Sequence, residues 1–196
     1  MTRLFAAYLA ERFRPVVLVP AIALHLLLAA WAAGVEPTAA RLVAAAGLAT
    51  VLLLQFRLWD DLEDRDRDRV THPGRVLVGA SPAPFRRALV ALGLANLVVL
   101  AAARSAAAVA GLAVLDVAFV AAYRLRAGVP DPVWRFGVLL AKYPIFVGLI
   151  AAAIGAPRTL RLALAMAAGY AAACAYEAFH DRSPVDGAQP CTPPRW

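Results

Sequence analysis

Six apolar runs, each close to the length needed to cross a bilayer, leave this 196-residue chain few folds to choose from. They lie at roughly Val16–Ala33, Ala39–Leu58, Phe85–Ala103, Ala106–Tyr123, Val133–Ile154 and Leu160–Phe179. At about 1.5 Å rise per residue, about 20 helical residues cover the hydrocarbon core. Lipid offers the backbone no hydrogen-bond partners, so each run is expected to be a helix. The predicted fold class is all-α: a multispan transmembrane bundle of about six helices in one domain, residues 1–182. Ala and Gly recur within the runs, which favours close helix packing. Residues 183–196, rich in Pro and polar side chains, are expected to form a poorly ordered cytoplasmic tail. The first run lacks a small-residue cleavage site before Glu36, so it reads as a span and not as a cleavable signal.

The formal charge of +7 would suggest nucleic acid in a soluble protein. Here the arginines sit mainly between apolar runs, so no nucleic acid is expected. The lipid bilayer, its anionic headgroups and a phosphorylated substrate are the expected partners. Cys174 and Cys191 support neither a disulfide framework nor a zinc site. Arginines crowd the N-terminus and the even connections: Arg12 and Arg14, then Arg57 to Arg87, then Arg124, Arg126 and Arg135. By the positive-inside rule the N-terminus, the acidic segments and the C-terminus are expected to be cytoplasmic, in an integral multi-pass protein.

The longest connection opens with Asp60-Asp61-Leu62-Glu63-Asp64-Arg65-Asp66-Arg67-Asp68-Arg69. Suppose the second helix runs on through it, turning about 100° per residue. Asp60, Asp64, Asp68 and Asp61 then fall within an arc of about a quarter turn, while Glu63 and Asp66 point away. Two carboxylates about 6 Å apart repel by about 3 kcal/mol at an effective dielectric of about 20, so something must offset the cluster. Magnesium suits it, because it takes a few carboxylates together with water and phosphate oxygens. The competing reading is a solvated helix end with i, i+4 pairs Asp61–Arg65 and Glu63–Arg67. The chain is then expected to turn at Pro73-Gly74, letting Arg69 and Arg75 reach back toward phosphate.

These residues resemble the UbiA-type intramembrane prenyltransferases. The first aspartate-rich motif of that family, Asn/Asp-Asp-x-x-Asp-x-x-x-Asp after the second span, is matched by Asp60, Asp61, Asp64 and Asp68. The basic continuation through Arg69, Pro73 and Arg75 is similar, as is the opening Glu11-Arg12-Phe13-Arg14-Pro15. The second acidic motif is matched in place and spacing by Glu177 and Asp181, with Glu for the first Asp. Members of that family usually carry more spans than the six read here.

The resemblance implies magnesium bound by Asp60, Asp61, Asp64, Asp68, Glu177 and Asp181, which are also the candidate catalytic residues. It implies an isoprenyl diphosphate donor, and transfer of the prenyl group to a hydrophobic acceptor molecule, aromatic or lipid-like. A tyrosine near the diphosphate is matched loosely by Tyr123, which an interfacial aromatic belt explains nearly as well. Ordinary helix-end charges remain an alternative for Glu177 and Asp181. Two further functions stay open: a membrane terpene cyclase, and a noncatalytic subunit working with a membrane-protein partner or within a homo-oligomer.

Ionisable residues within spans are functional candidates by default. Asp116 and Lys142 lie at similar depth, which allows an ion pair or a joint place on a cavity wall. Arg135 and Lys142 share a helix face and are expected to contact the diphosphate. Asn96 and His25 are expected to hydrogen-bond between helices. Tyr170, Cys174, Glu177 and Asp181 form one helical stripe.

Overall fold

The computed structural model describes residues 2–34, 36–126, 129–130, 132–157 and 159–181, with side chains from 3 to 179 within those ranges. The expected tail at 183–196 lies outside them. Most described residues are helical, and six helices are long and apolar enough to span a membrane. The chain is an all-α multispan bundle.

The first helix, α1 (Thr2–Arg12), precedes the spans and was not evident from apolar runs. Next come α2 (Pro15–Ala33) and α3 (Ala39–Glu63). Pro15 opens α2, where a missing N–H costs nothing, and Gly34 closes it at φ 68°, a left-handed conformation that glycine adopts freely. The Thr38 hydroxyl caps α3 by accepting from Arg41 N. Short helices α4 (Arg65–Thr71) and α5 (Val76–Gly79) form the long connection, joined by a turn at Pro73–Gly74 closed by Arg75 N donating to His72 O at 3.1 Å. Then follow α6 (Ala83–Ala102) and α7 (Ala106–Leu125).

The fifth span is broken. A π-helix, Val133–Leu139, leads through a turn into α8 (Lys142–Ala153), and α9 (Leu160–Asp181) completes the bundle. Pro144 lacks the N–H that would bond the Leu140 carbonyl, which is one reason the ladder cannot continue regularly here. The wider π turn puts Lys142 at the head of α8.

α3 and the broken fifth span, Val133–Ala153, form the centre, 33% and 39% buried against 11% for α9. α3 packs chiefly on α6, and α2, α8 and α9 pack on one another. Leu52 and Phe56 of α3, Leu112 and Phe119 of α7, and Phe146 and Ile150 of α8 interlock in the main core. Val90, Leu94 and Val98 of α6 and Val114 and Val117 of α7 point outward, as expected of surfaces meeting lipid. A second small core fastens the aspartate-bearing end. Tyr8 of α1 packs on Leu58, Leu77 and Phe85, its ring 5.4 Å from that of Phe85. Glu11 accepts the Val76 N–H at 2.9 Å, which ties α1 to α5.

Candidate functional site

The end of α3 does not run straight through the acidic stretch. It pauses at Asp64, but helical hydrogen bonds continue across the break: Asp64 N donates to Asp60 O, and Asp68 N to Asp64 O. The helical register is therefore kept. Asp60, Asp61, Asp64 and Asp68 line one cavity of about 350 Å³, while Glu63 and Asp66 are exposed outside it. Glu177, near the end of α9, lines the same cavity. The side chain of Asp181 lies outside the described residues.

Each of these carboxylates meets a cation. Asp60 is paired with Lys142 and accepts from the Tyr123 hydroxyl at 2.5 Å. Asp61 is nearly buried between α1 and α3. It accepts from Arg12 Nε at 2.8 Å and from the Tyr8 hydroxyl at 2.9 Å, with Arg57 Nε at 3.6 Å. Burial, then the neighbouring Asp61 charge, push the Tyr8 pKa well above the ordinary tyrosine value, which keeps it a donor. Asp64 pairs with Arg126, and Asp68 with Arg75 and, at 3.5 Å, with His72. Glu177 lies 3.6 Å from Arg135 Nε.

Some expected pairings are replaced by others. Arg65 does not pair with Asp61. Its guanidinium donates to the carbonyls of Leu77, Val78 and Ala80, so it fixes the α4–α5 connection instead. Arg69, grouped with the site on its position after the motif, is turned to Asp66 at 2.8 Å on the exposed face. Asp116 and Lys142 are not partners. Asp116 accepts from Gln55 at 2.9 Å, and Gln55 accepts from Asn96 at 2.7 Å, linking α3, α6 and α7 inside the bundle. Asn96 therefore bonds between helices as expected, but His25 bonds within its own, to Ala21 O at 2.7 Å. Tyr170 donates to Phe136 O at 2.8 Å and holds α9 to the π-helix.

Three participants, Arg126, Arg12 and Trp134, lie outside the site residues assigned from the sequence, although Arg126 is a loose match to the basic residue that the resemblance places near Tyr123. Arg126 sits three residues after Tyr123 on the same helix face, a spacing that is visible once Tyr123 is taken seriously. Arg12 lies in the opening segment, and the sequence alone offers it no partner. Trp134 carries no sequence signal. Its ring is 3% exposed, lines the cavity, and stacks beneath Arg126 at 5.2 Å. Its Nε1–H has no partner among the described residues. A buried donor left unmet costs about 1–3 kcal/mol, so an anion arriving beside it would gain that bond in full.

Seven cationic side chains face five carboxylates around this cavity, leaving a positive surplus suited to an anion. The carboxylates are oxygen donors of the kind magnesium takes. Among the described residues no group of three or more acidic, His or Cys side chains converges as a metal cage. Magnesium commonly binds through one or two carboxylates plus substrate phosphates, so the donor set fits an ion that arrives with a diphosphate.

Two further pockets adjoin the polar cavity, one with a charged side and an apolar side, the other mainly apolar. One, about 330 Å³, shares Arg12, Arg57, Asp60 and Lys142 with it and runs along Leu18, Leu53, Phe56 and Phe146. The other, about 290 Å³, shares Leu140, Tyr143 and Glu177 and lies between α2 and α9. A charged chamber that borders apolar walls suits an amphiphile with an anionic head. Comparison of this chain with known protein families, with curated proteins and with solved structures finds no match.

Proposed function

We propose that this protein is a magnesium-dependent membrane prenyltransferase of UbiA type. The observation that carries the reading is the shared cavity. Carboxylates from α3, α4 and α9 and a surplus of guanidinium groups surround one space, which opens onto apolar walls inside the bundle. Bound with the donor, magnesium would neutralise the diphosphate and stabilise it as a leaving group. Asp60, Asp64, Asp68 and Glu177 would hold it. Arg75, Arg126, Arg135, Lys142 and the Trp134 Nε1–H would contact the phosphate oxygens. The prenyl chain would lie along Leu53, Phe56 and Phe146, where water is kept from the reacting carbon. The allylic C–O bond breaks, its electron pair leaves with pyrophosphate, and the acceptor attacks the carbon and gives up a proton.

The test is turnover by purified protein in lipid nanodiscs. Prenyl diphosphates of several chain lengths are supplied with a panel of phenolic and lipid-like acceptors, with and without magnesium. Prenylated product and pyrophosphate are expected only with the metal. Release of a cyclised hydrocarbon without acceptor would replace this reading by a terpene cyclase. Trp134→Phe is expected to weaken donor binding about 10-fold or more, the worth of one hydrogen bond to a charged group, measured by titration with a non-hydrolysable prenyl diphosphate analogue.

One observation favours the noncatalytic reading: every described carboxylate of the cluster has a cationic partner, which offsets its repulsion without any metal. Absence of donor binding, together with stoichiometric copurification of another membrane protein, would establish it.

A further inference from the structure

The pocket between α2 and α9 is mainly apolar, with His25, Tyr143, Tyr176 and Glu177 as its polar lining residues. His25 lines it, is 5% exposed, and has an Nε2 that finds no partner among the described residues. The other ring nitrogen is committed. Nδ1 lies 2.7 Å from the Ala21 carbonyl, one helical turn earlier, and a carbonyl can only accept. In the uncharged ring the proton therefore sits on Nδ1, and Nε2 is left as an acceptor. The rings of Tyr143 and Phe146, at 6.0 and 6.1 Å between centroids, hold the imidazole in place. Buried polar groups are seldom left unmet, so a fixed, unmet acceptor on a pocket wall calls for an explanation.

The remaining lining narrows the ligand. Val17, Pro20, Leu24, Ala172 and Ala173 offer only apolar contact. Among the described residues Glu177 is the one charged side chain on the wall and stands at its border with the ion cavity, so a carboxylate or phosphate is disfavoured here. A volume of about 290 Å³ holds a ring system of about ten water-sized groups. Tyr143 borders this pocket, the prenyl-chain pocket and the ion cavity alike, so an occupant would lie beside the donor.

We propose that this pocket binds an uncharged, compact hydrophobic alcohol or phenol whose hydroxyl donates to Nε2 of His25. Taking that molecule as the prenyl acceptor rests on the transfer reading above. The binding site itself does not.

The experiment uses the full chain in nanodiscs and two probes matched in shape, 2-naphthol and 2-methoxynaphthalene, with affinities measured by titration. The wild type is expected to prefer the naphthol about tenfold, the worth of one hydrogen bond. His25→Phe is expected to bring the two affinities together, with the Asp61 end of the bundle undisturbed. His25→Gln, which keeps an acceptor, is expected to retain part of the preference and covers the case in which the phenylalanine variant misfolds. Equal affinities in the wild type, no naphthol binding, or a preference that survives in the folded phenylalanine variant would overturn the proposal. Affinity for a prenyl diphosphate analogue is read in parallel. Loss of the naphthol preference without any donor binding would support His25 while ending the transferase reading. Donor binding and turnover with an unchanged naphthol preference in His25→Phe would do the reverse.

Discussion

Asp64→Asn is expected to lower prenyl-transfer turnover by a factor of about 10² to 10³ while leaving the protein folded, a loss typical of removing one preorganised electrostatic contact to a leaving group. Asp64 is the right residue for this measurement because little else depends on it. Its side chain is 31% exposed and its partner Arg126 is 27% exposed, so losing the pair costs little stability. Asn keeps the shape of Asp but gives magnesium one neutral oxygen in place of a carboxylate. The loss should fall on kcat and kcat/KM alike if the contact matters most as pyrophosphate departs. It should shrink but not vanish at high magnesium. A variant with parental turnover and an unchanged magnesium requirement would remove Asp64 from the metal site, and with it much of the case for the first acidic motif. The matching control is Asp66→Asn. Asp66 lies two residues away but outside the cavity, and the change is expected to leave turnover as it was.

How far the sequence could be read depended on whether a signal was periodic or relational. Length and apolarity fix the six spans, because a bilayer has one thickness and a backbone inside it has one way to be satisfied. The arc of aspartates was likewise legible, since helical register alone decides that Asp60, Asp64 and Asp68 face together while Glu63 and Asp66 do not. The pairings were not legible. Counted along their spans, Lys142 and Asp116 lie at similar depth, yet Lys142 pairs with Asp60, from a position at the head of α8 just after the π-helix. Nothing in apolar spacing announces a π turn. The local hint was Pro144, which has no N–H to give the Leu140 carbonyl, so Tyr143 N donates there instead, one residue early. Helix α1 was missed for a related reason. It is short, its apolar residues dock on the aspartate-bearing end and not in lipid, and Tyr8 and Arg12 gain meaning only once Asp61 is known to sit between them. Asp116 had a partner in Gln55, a neutral residue that a search for opposite charges passes over.

The second large effect is on stability. Asp60→Leu is expected to cost about 3–5 kcal/mol, because it strands the Lys142 ammonium inside the bundle. That side chain is 5% exposed, with the Phe119 and Tyr143 rings 5.8 and 5.6 Å from the ammonium. These rings supply some attraction but no hydrogen-bond acceptor comparable to a carboxylate. Lys142→Met alone should cost less, since Asp60 is 15% exposed and retains the Tyr123 hydroxyl. The double variant should recover most of the loss, because replacing a buried ion pair by apolar side chains of similar size is often close to neutral. Thermal midpoints of the four proteins in one detergent complete the cycle, and the coupling between the two positions is the quantity of interest. Simple additivity would mean that Lys142 finds another partner when Asp60 is gone, and the pair would then be incidental to the fold. Strong coupling would give Asp60 a second role beside any metal it holds. It would also explain why a chain keeps its only lysine at this depth, opposite the first aspartate of the cluster.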